Sequence, residues 1–362
     1  MKIGIVGLPN VGKSTLFNAL TGAGALVANY AFATINPNVG VVPVPDERLL
    51  ALARTVKTTK IIPATVEFVD IAGLVRGASH GEGLGNQFLS HIREVDAILH
   101  VVRCFEDDNI VHVSAKVDPV EDFKTVEVEL ILADIAHLDK RRAKVAKMAK
   151  SNEPELLAEL ALLDQILEHL NAGLPARSFE SDSMDPNYLQ KVHLLSSKPI
   201  LVVANVKEGM DLEEDPHFLA LADYFAAEKL EVLPVMADIE AEINELAPEE
   251  RDSFREEMGY PESGLDRIIR EAYRLLGLIS FFTGNEKEAH AWTIRAGSPA
   301  PKAAGAIHTD FERGFIRAEV ISVMDLVEFG SFAAAREKGQ VRSEGKTYIV
   351  RDGDYIIFRF NV

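Results

Sequence analysis

The sequence predicts an α/β fold: a parallel sheet with crossover helices, an inserted antiparallel helical hairpin, and a C-terminal α+β unit. Three observations carry this expectation. Short apolar runs alternate with helical stretches in the first hundred residues and again near 200–235. Two long glycine-free segments, 126–149 and 154–170, stand between those groups. After Gly277 the chain changes to closely spaced strand-like pieces. Alternation of strands and helices implies a parallel sheet, because parallel strands need long crossover connections.

The first run, Lys2-Ile3-Gly4-Ile5-Val6, reads as a buried strand. It leads into Gly7-Leu8-Pro9-Asn10-Val11-Gly12-Lys13-Ser14-Thr15, which fits G-x-x-x-x-G-K-[ST]. The following residues read as the first turns of a helix, with Leu16, Phe17 and Leu20 on one face. Strand, loop and helix are the context this phosphate-cradling motif requires. Gly7 and Gly12 let the backbone wrap closely around an anion. Successive N–H groups from Asn10 to Thr15 then point at the phosphates of a nucleotide. Lys13 reaches the β and γ oxygens, and Ser14 is a ligand for Mg²⁺.

Further strand-like runs cover 65–70, 97–102, 200–205 and 232–235. Ligands of such sheets lie beyond the carboxyl ends of the strands. Asp70 closes the second run there, and Asp70-Ile71-Ala72-Gly73 gives it the role of an acidic Mg²⁺ holder. The Gly73 N–H approaches a γ-phosphate without a side chain in the way. Gly77, Gly81, Gly83 and Gly85 surround His80 and Glu82 in what reads as a switch loop. Thr34, in the segment 30–40 between the first two strands, is the candidate for a second Mg²⁺ ligand. Cys104 reads as a small residue at a strand end, and His112 as structural.

The expected domains are 1–122 with 196–277 for nucleotide binding, 123–195 for the hairpin, and 278–362 for the C-terminal unit. In the hairpin, Leu130, Ala133, Ala136 (or His137), Lys140 and Ala143 give a rough heptad seam. Leu156, Leu157, Leu160, Leu163, Leu167 and Leu170 form an apolar stripe on the second helix. The six basic residues between Lys140 and Lys150 suit either contact with rRNA phosphates or a solvated helix face. In the C-terminal unit the expected strands are 280–283, 290–294, 315–320, 348–350 and 355–360. Pro299 and Pro301 mark a loop, and Trp292 reads as core.

Composition narrows the classes. At 362 residues and 47% hydrophobic, the chain has enough apolar mass for several cores. A net charge of −18 argues against a general nucleic-acid coat, against DNA and against an anionic membrane surface as partner. One cysteine excludes an intrachain disulfide and a Cys-rich zinc module. Met1 leads straight into the first strand, so no secretory leader is expected. A cytoplasmic, monomeric protein without a membrane span is the expectation.

The motifs together resemble the Obg family of translation-factor-related P-loop GTPases, in the segments 7–14, 32–38 and 70–78. Gly81-Glu82-Gly83-Leu84-Gly85-Asn86-Gln87-Phe88-Leu89 and the stretch 307–320 look like its YchF / Obg-like ATPase branch. The resemblance spans the chain and implies a P-loop NTPase sheet, ribosome association, and a C-terminal β-grasp (TGS) domain. Guanine-specific relatives carry N-K-x-D where this chain has Asn205-Val206-Lys207-Glu208. Val206 supplies no stacking stem, and Glu208 is one methylene longer than Asp, which displaces the fork that reads guanine. Asn205 offers a donor and an acceptor that suit adenine. The resemblance implies ATP in preference to the weaker GTP; the residues alone say that guanine specificity is relaxed.

Leu74 stands where many GTPases place a water-orienting Gln. Hydrolysis must then rely on another residue, a partner or an ion. Potassium-dependent relatives carry an Asn at the position of Asn10, which implies K⁺ between the phosphates. His80 is either a water-positioning residue or a surface histidine. Slow turnover follows, with a nucleotide-dependent switch as the first reading. An adaptor that keeps nucleotide as a structural ligand, and a GTP-dependent enzyme, are the alternatives.

Overall fold

Two sheets organise the chain. The computed structural model describes residues 1–25, 38–71, 84–112, 116–182, 184–185, 187–228, 230–260 and 262–361. The first sheet has the order β2–β4–β1–β5–β6–β7. Its strands are β1 (Lys2–Val6), β2 (Val39–Pro43), β4 (Thr65–Asp70), β5 (Ala97–Arg103), β6 (Ile200–Asn205) and β7 (Val232–Val235). The pairings β1 with β4, β1 with β5, β5 with β6 and β6 with β7 are all parallel. Every residue of β5 and of β6 is buried, as expected of strands covered on both faces. Gly4 lies against packed side chains: a Cβ there would lie 2.5 Å from Ile71 Cδ1 and would displace it. Cys104 is fully buried and free, and burial pushes its thiol up, so it behaves as a small core residue.

The helical hairpin consists of Pro119–Met148 and Pro154–Asn171. Its first helix starts seven residues before the expected 126. Asp118 caps it, accepting from Glu121 N at 3.1 Å, and Pro119 occupies the first turn. Of the expected seam, Leu130 and Ala133 are buried, and the rest is corrected. Ile131, Leu138 and Val145 pack against Leu163, Ile166, Leu167 and Leu170. Ala136, His137, Lys140 and Ala143 are exposed. The buried frame is the one that supplies large apolar side chains seven residues apart. Leu160, Leu163, Leu167 and Leu170 of the leucine stripe face the partner helix, whereas Leu157 is 45% exposed. At the base of the hairpin, Asp134 accepts from Leu195 N, Ser196 N and Ser196 Oγ at 2.7–2.8 Å.

The second sheet has the order β11–β10–β12–β8–β9–β3. These strands are β3 (Ile61–Ile62), β8 (Leu278–Gly284), β9 (Ala289–Arg295), β10 (Phe315–Ser322), β11 (Arg342–Glu344) and β12 (Asp354–Phe360). Antiparallel pairs join β8 to β9 and β10 to both β11 and β12, while β12 runs parallel to β8. Phe281, Ile294, Ala303, Ala304, Val320 and Phe358 share one core, with Trp292 packed against it. Two expectations fail here. Residues 348–350 form only an isolated bridge, Ile349 with Pro299, and the strand lies at Arg342–Glu344. Pro299 and Pro301 open the helix Ala300–Ile307, since proline is tolerated in a first turn where N–H groups lack helical partners.

Contacts divide the chain differently from the expected domains. Among the described residues, one compact unit comprises those of 1–23, 38–40 and 67–265, hairpin included; the other comprises those of 24–25, 41–66 and 266–361. The segment 41–66 was expected with nucleotide binding, and 266–277 likewise. Both lie in the second unit for visible reasons. β3 pairs with β9 in parallel, Lys60 Nζ meets Glu288 Oε2 at 2.7 Å, and Arg48 Nη1 donates to Asp352 Oδ2 at 2.6 Å. Tyr273 OH meets Ser280 Oγ and Thr293 Oγ1, both at 3.0 Å. Among the described residues, no helix is long and apolar enough to cross a membrane.

Candidate functional site

The site forms where β1, β4 and β6 end. β1 runs into the phosphate loop, and the helix Lys13–Ala25 begins within the motif itself. Three loop residues have positive φ: Gly7 at 151°, Asn10 at 63° and Gly12 at 95°. Two of these positions admit only glycine. A Cβ on Gly7 would lie 2.4 Å from Val101 O, and one on Gly12 would lie 2.2 Å from Asn205 Nδ2.

Lys13 is 8% exposed, and its Nζ donates to Leu8 O at 2.6 Å within the same loop. Burial lowers its pKa to about 8, against the opposing pull of the Asp70 carboxylate. A cationic amine held this way gains when an anion arrives. Ser14 Oγ donates to Asp70 Oδ2 at 3.3 Å, so the two expected metal-holding oxygens meet across 56 residues of sequence. Both are hard oxygen donors, the type that holds Mg²⁺ beside phosphates. Val11 is buried, and Thr15 is half-buried in the first helical turn.

Asn10 donates through Nδ2 to Val111 O at 3.0 Å. Its Oδ1 makes no hydrogen bond among the described residues, which leaves a carbonyl-type oxygen for a cation. His112, the next residue after Val111, lies with Nε2 2.8 Å from Asp122 Oδ2, both side chains buried.

The segment 205–208, expected to read the base, departs from that expectation. Asn205 is 4% exposed, and both ends of its amide are engaged. Nδ2 donates to Val11 O at 3.1 Å, and Oδ1 accepts from Ala237 N at 3.2 Å. Asn205 is therefore a staple between the phosphate loop and the helix Ala237–Glu245 before it is a reader of any base. One amide hydrogen and one lone pair remain to it. Val206 is buried at 7% exposure, and its N–H goes to Val235 O at 3.0 Å. Glu208 is exposed. Lys207, given no role from sequence, pairs with Asp107 at 3.2 Å.

Thr34, Gly73 and His80 lie outside the described residues, as do Leu74 and most of the glycine-rich segment around His80. What the structure brings together is Asn10, Val11, Gly12, Lys13, Ser14, Asp70 and Asn205. Sequence reasoning missed the loop after β5, whose Asp107 touches Lys207 and whose Val111 touches Asn10 of the phosphate loop. A signal existed in Asp107-Asp108-Asn109, a polar turn following a strand of mainly apolar residues.

Comparison with known proteins agrees with this architecture. A family model described as 50S ribosome-binding GTPase matches residues 2–159. A second, for the C-terminal domain of YchF GTPases and described as a protein of unknown function, matches residues 278–361. A Bacillus subtilis protein described as ribosome-binding ATPase YchF is 54% identical, over 99% of this chain and 99% of its own. One of the same description from Escherichia coli O157:H7 is 52% identical over 100% and 99%. The solved structure of the Schizosaccharomyces pombe YchF GTPase superposes with a TM-score of 0.89 at 36% identity, covering 99% of this chain and 97% of that one. Identity of this degree along the whole length, joined to the phosphate loop and its parallel sheet, establishes that the chain belongs to the YchF family of P-loop GTPases.

Proposed function

We propose that this chain binds a nucleoside triphosphate as its Mg²⁺ complex, prefers ATP to GTP, hydrolyses it slowly, and uses the bound state to set its affinity for the ribosome. The observation that carries the reading is the meeting of Ser14 Oγ with Asp70 Oδ2 beside the buried Lys13. The curated relatives described as ribosome-binding ATPases support the substrate and the partner.

Ser14 and Asp70 would hold Mg²⁺, with Thr34 as a second switch-side ligand. When bound, the ion neutralises charge on the β and γ oxygens. Lys13 leaves Leu8 O and pairs with those oxygens, and backbone N–H groups from Val11 to Thr15 orient the phosphates. Asn10 offers Oδ1 to a potassium ion. In the reaction a water oxygen bonds to the γ-phosphorus, the bond from that phosphorus to the β–γ bridging oxygen breaks, and ADP, inorganic phosphate and a proton result. Gly73 N–H would donate to a γ oxygen, and His80 is the candidate to orient the water. Leu74 cannot do so, which accounts for slow turnover. With Asn205 committed as a staple and Glu208 displaced from the position of an Asp, the guanine fork is incomplete.

The test is calorimetric binding of ATP and GTP with Mg²⁺ in K⁺ and in Na⁺ buffers, with phosphate release followed in parallel. Tighter ATP binding with K⁺-enhanced turnover supports the reading. A clear GTP preference removes the base assignment. Binding without turnover favours an adaptor, for which Lys13→Ala would leave partner binding intact.

A further inference from the structure

Arg103 is the last residue of β5 and is 1% exposed. Burying a cation is costly unless its donors are satisfied. No carboxylate lies within ion-pair distance of it among the described residues. Its guanidinium donates instead to three carbonyls of one loop: Nε to Phe105 O at 2.9 Å, Nη1 to Ile110 O at 3.1 Å and Nη2 to Asp107 O at 3.2 Å. The Phe105 ring lies against it, 4.8 Å from Cζ to centroid. Only a planar fork of several donors reaches three such acceptors at once.

The loop so gathered delivers two groups to the nucleotide site. Val111 O, one residue past Ile110, accepts from Asn10 Nδ2 at 3.0 Å. The Asp107 carboxylate takes Lys207 Nζ at 3.2 Å, next to Glu208 in the base-reading segment. The same carboxylate also accepts from Asn109 N at 2.9 Å, which fixes its direction. The backbone adds a further tie, Cys104 N to Asn205 O at 2.9 Å. One buried side chain thereby holds a loop that touches the phosphate loop on one side and the base-reading segment on the other.

We infer that Arg103 is a positioning residue for the nucleotide site, setting Asn10 through Val111 and Lys207 through Asp107, so that ion response and base selectivity depend on one guanidinium. The inference rests on the proposed nucleotide binding. Arg103→Lys keeps the charge but cannot span three carbonyls. Asp107→Asn keeps the carbonyl that Arg103 binds and removes the ionic contact to Lys207 alone.

The test measures ATP and GTP affinities and K⁺-stimulated turnover in the full-length wild type and both variants, with melting temperatures recorded. Arg103→Lys is expected to weaken ATP binding about tenfold, bring the ATP:GTP affinity ratio toward unity and abolish the K⁺ response. Asp107→Asn is expected to shift the ratio while the K⁺ response persists. A merely structural arginine would lower the melting temperature and weaken both nucleotides equally, with ratio and K⁺ response retained; that result overturns the inference. If Arg103→Lys fails to fold, Asp107→Asn decides, since an unchanged ratio there also overturns it. A wild type that binds neither nucleotide removes the proposed function first, and is thereby distinguished from a failure confined to Arg103.

Discussion

Replacing Lys13 with methionine should stabilise the nucleotide-free protein at pH 7 while abolishing its response to nucleotide. The lysine is 8% exposed and its pKa falls from 10.5 to about 8, chiefly through burial, with Asp70 pulling the other way. That difference amounts to a penalty of about 3 kcal/mol on the charged folded state. Methionine has a similar shape and no charge. It forfeits the bond from Nζ to Leu8 O, which subtracts about 1 kcal/mol. A net gain of about 2 kcal/mol at pH 7 follows. Below pH 8 both folded and unfolded chains carry the proton, and the full penalty applies. Between pH 8 and 10.5 the unfolded chain holds it more tightly, so wild-type stability rises with pH. Above 10.5 the penalty vanishes and the variant should be the weaker protein by about 1 kcal/mol. Urea unfolding at pH 7 and at about pH 11.5, where the unfolded lysine is also neutral, followed by circular dichroism, reads both numbers. Fluorescence of Trp292, the one tryptophan of the chain, reports the other unit separately. With MgATP at a hundred times Kd, the wild type should gain about 2.7 kcal/mol and the variant nothing. A Lys13→Met protein less stable than wild type at pH 7 without nucleotide would refute the reasoning.

Three further outcomes are expected. Gly12→Ala places a Cβ against Asn205 Nδ2 at a position with φ of 95°, so nucleotide affinity should fall at least about tenfold in calorimetry; unchanged affinity would mean the staple yields freely. Asp134→Ala strands two N–H groups and a hydroxyl at the foot of the hairpin and should cost about 3 kcal/mol in denaturant unfolding, whereas Arg142→Ala, which breaks a solvent-screened pair with Asp164, should leave the unfolding midpoint unchanged. Lys140, Lys144, Lys147 and Lys150 are exposed and make no ion pair among the described residues, unlike Arg141 and Arg142, which bind Glu159 and Asp164. Changing those four to Glu should flatten the salt dependence of ribosome binding by up to about four in log–log slope with no change in melting temperature; an unaltered slope identifies them as a solvated face.

The phosphate loop was legible because its chemistry is covalently local: glycines, lysine and serine must follow one another along the chain. The parallel strands were legible because burial on both faces leaves continuous apolar runs, as in β5 and β6. β3 and β11 were not, since Ile61–Ile62 and Arg342–Glu344 become strands only by adding to an edge that other residues build. The hairpin seam admitted two frames, and the apolar one at Ile131, Leu138 and Val145 prevailed over the one containing Lys140. Arg103 was passed over because an arginine ending an apolar strand reads as a solvent contact. Its burial depends on carbonyls of a loop whose conformation it helps to determine.

Asn205 shows why base preference cannot be read from one motif position. Its partners, Val11 and Ala237, are far from it in sequence, and its amide joins the phosphate loop to the segment after β7. Asn205→Asp keeps the acceptor for Ala237 N but sets a carboxylate oxygen against Val11 O in a site 4% exposed. Unpaired buried acceptors of this kind cost about 3 kcal/mol. The loss falls on the phosphate loop, which ATP and GTP share, so both affinities should drop together and their ratio should hold. Glu208 is exposed and carries no such duty. Glu208→Asp shortens the carboxylate by the methylene that separates it from a guanine-reading Asp, and should raise GTP affinity relative to ATP with the loop undisturbed. Competition binding with ATP and GTP measures both variants. If Asn205→Asp changed the ratio while sparing ATP affinity, the amide would be a base reader first, and the division between holding the loop and choosing the base would have to be abandoned.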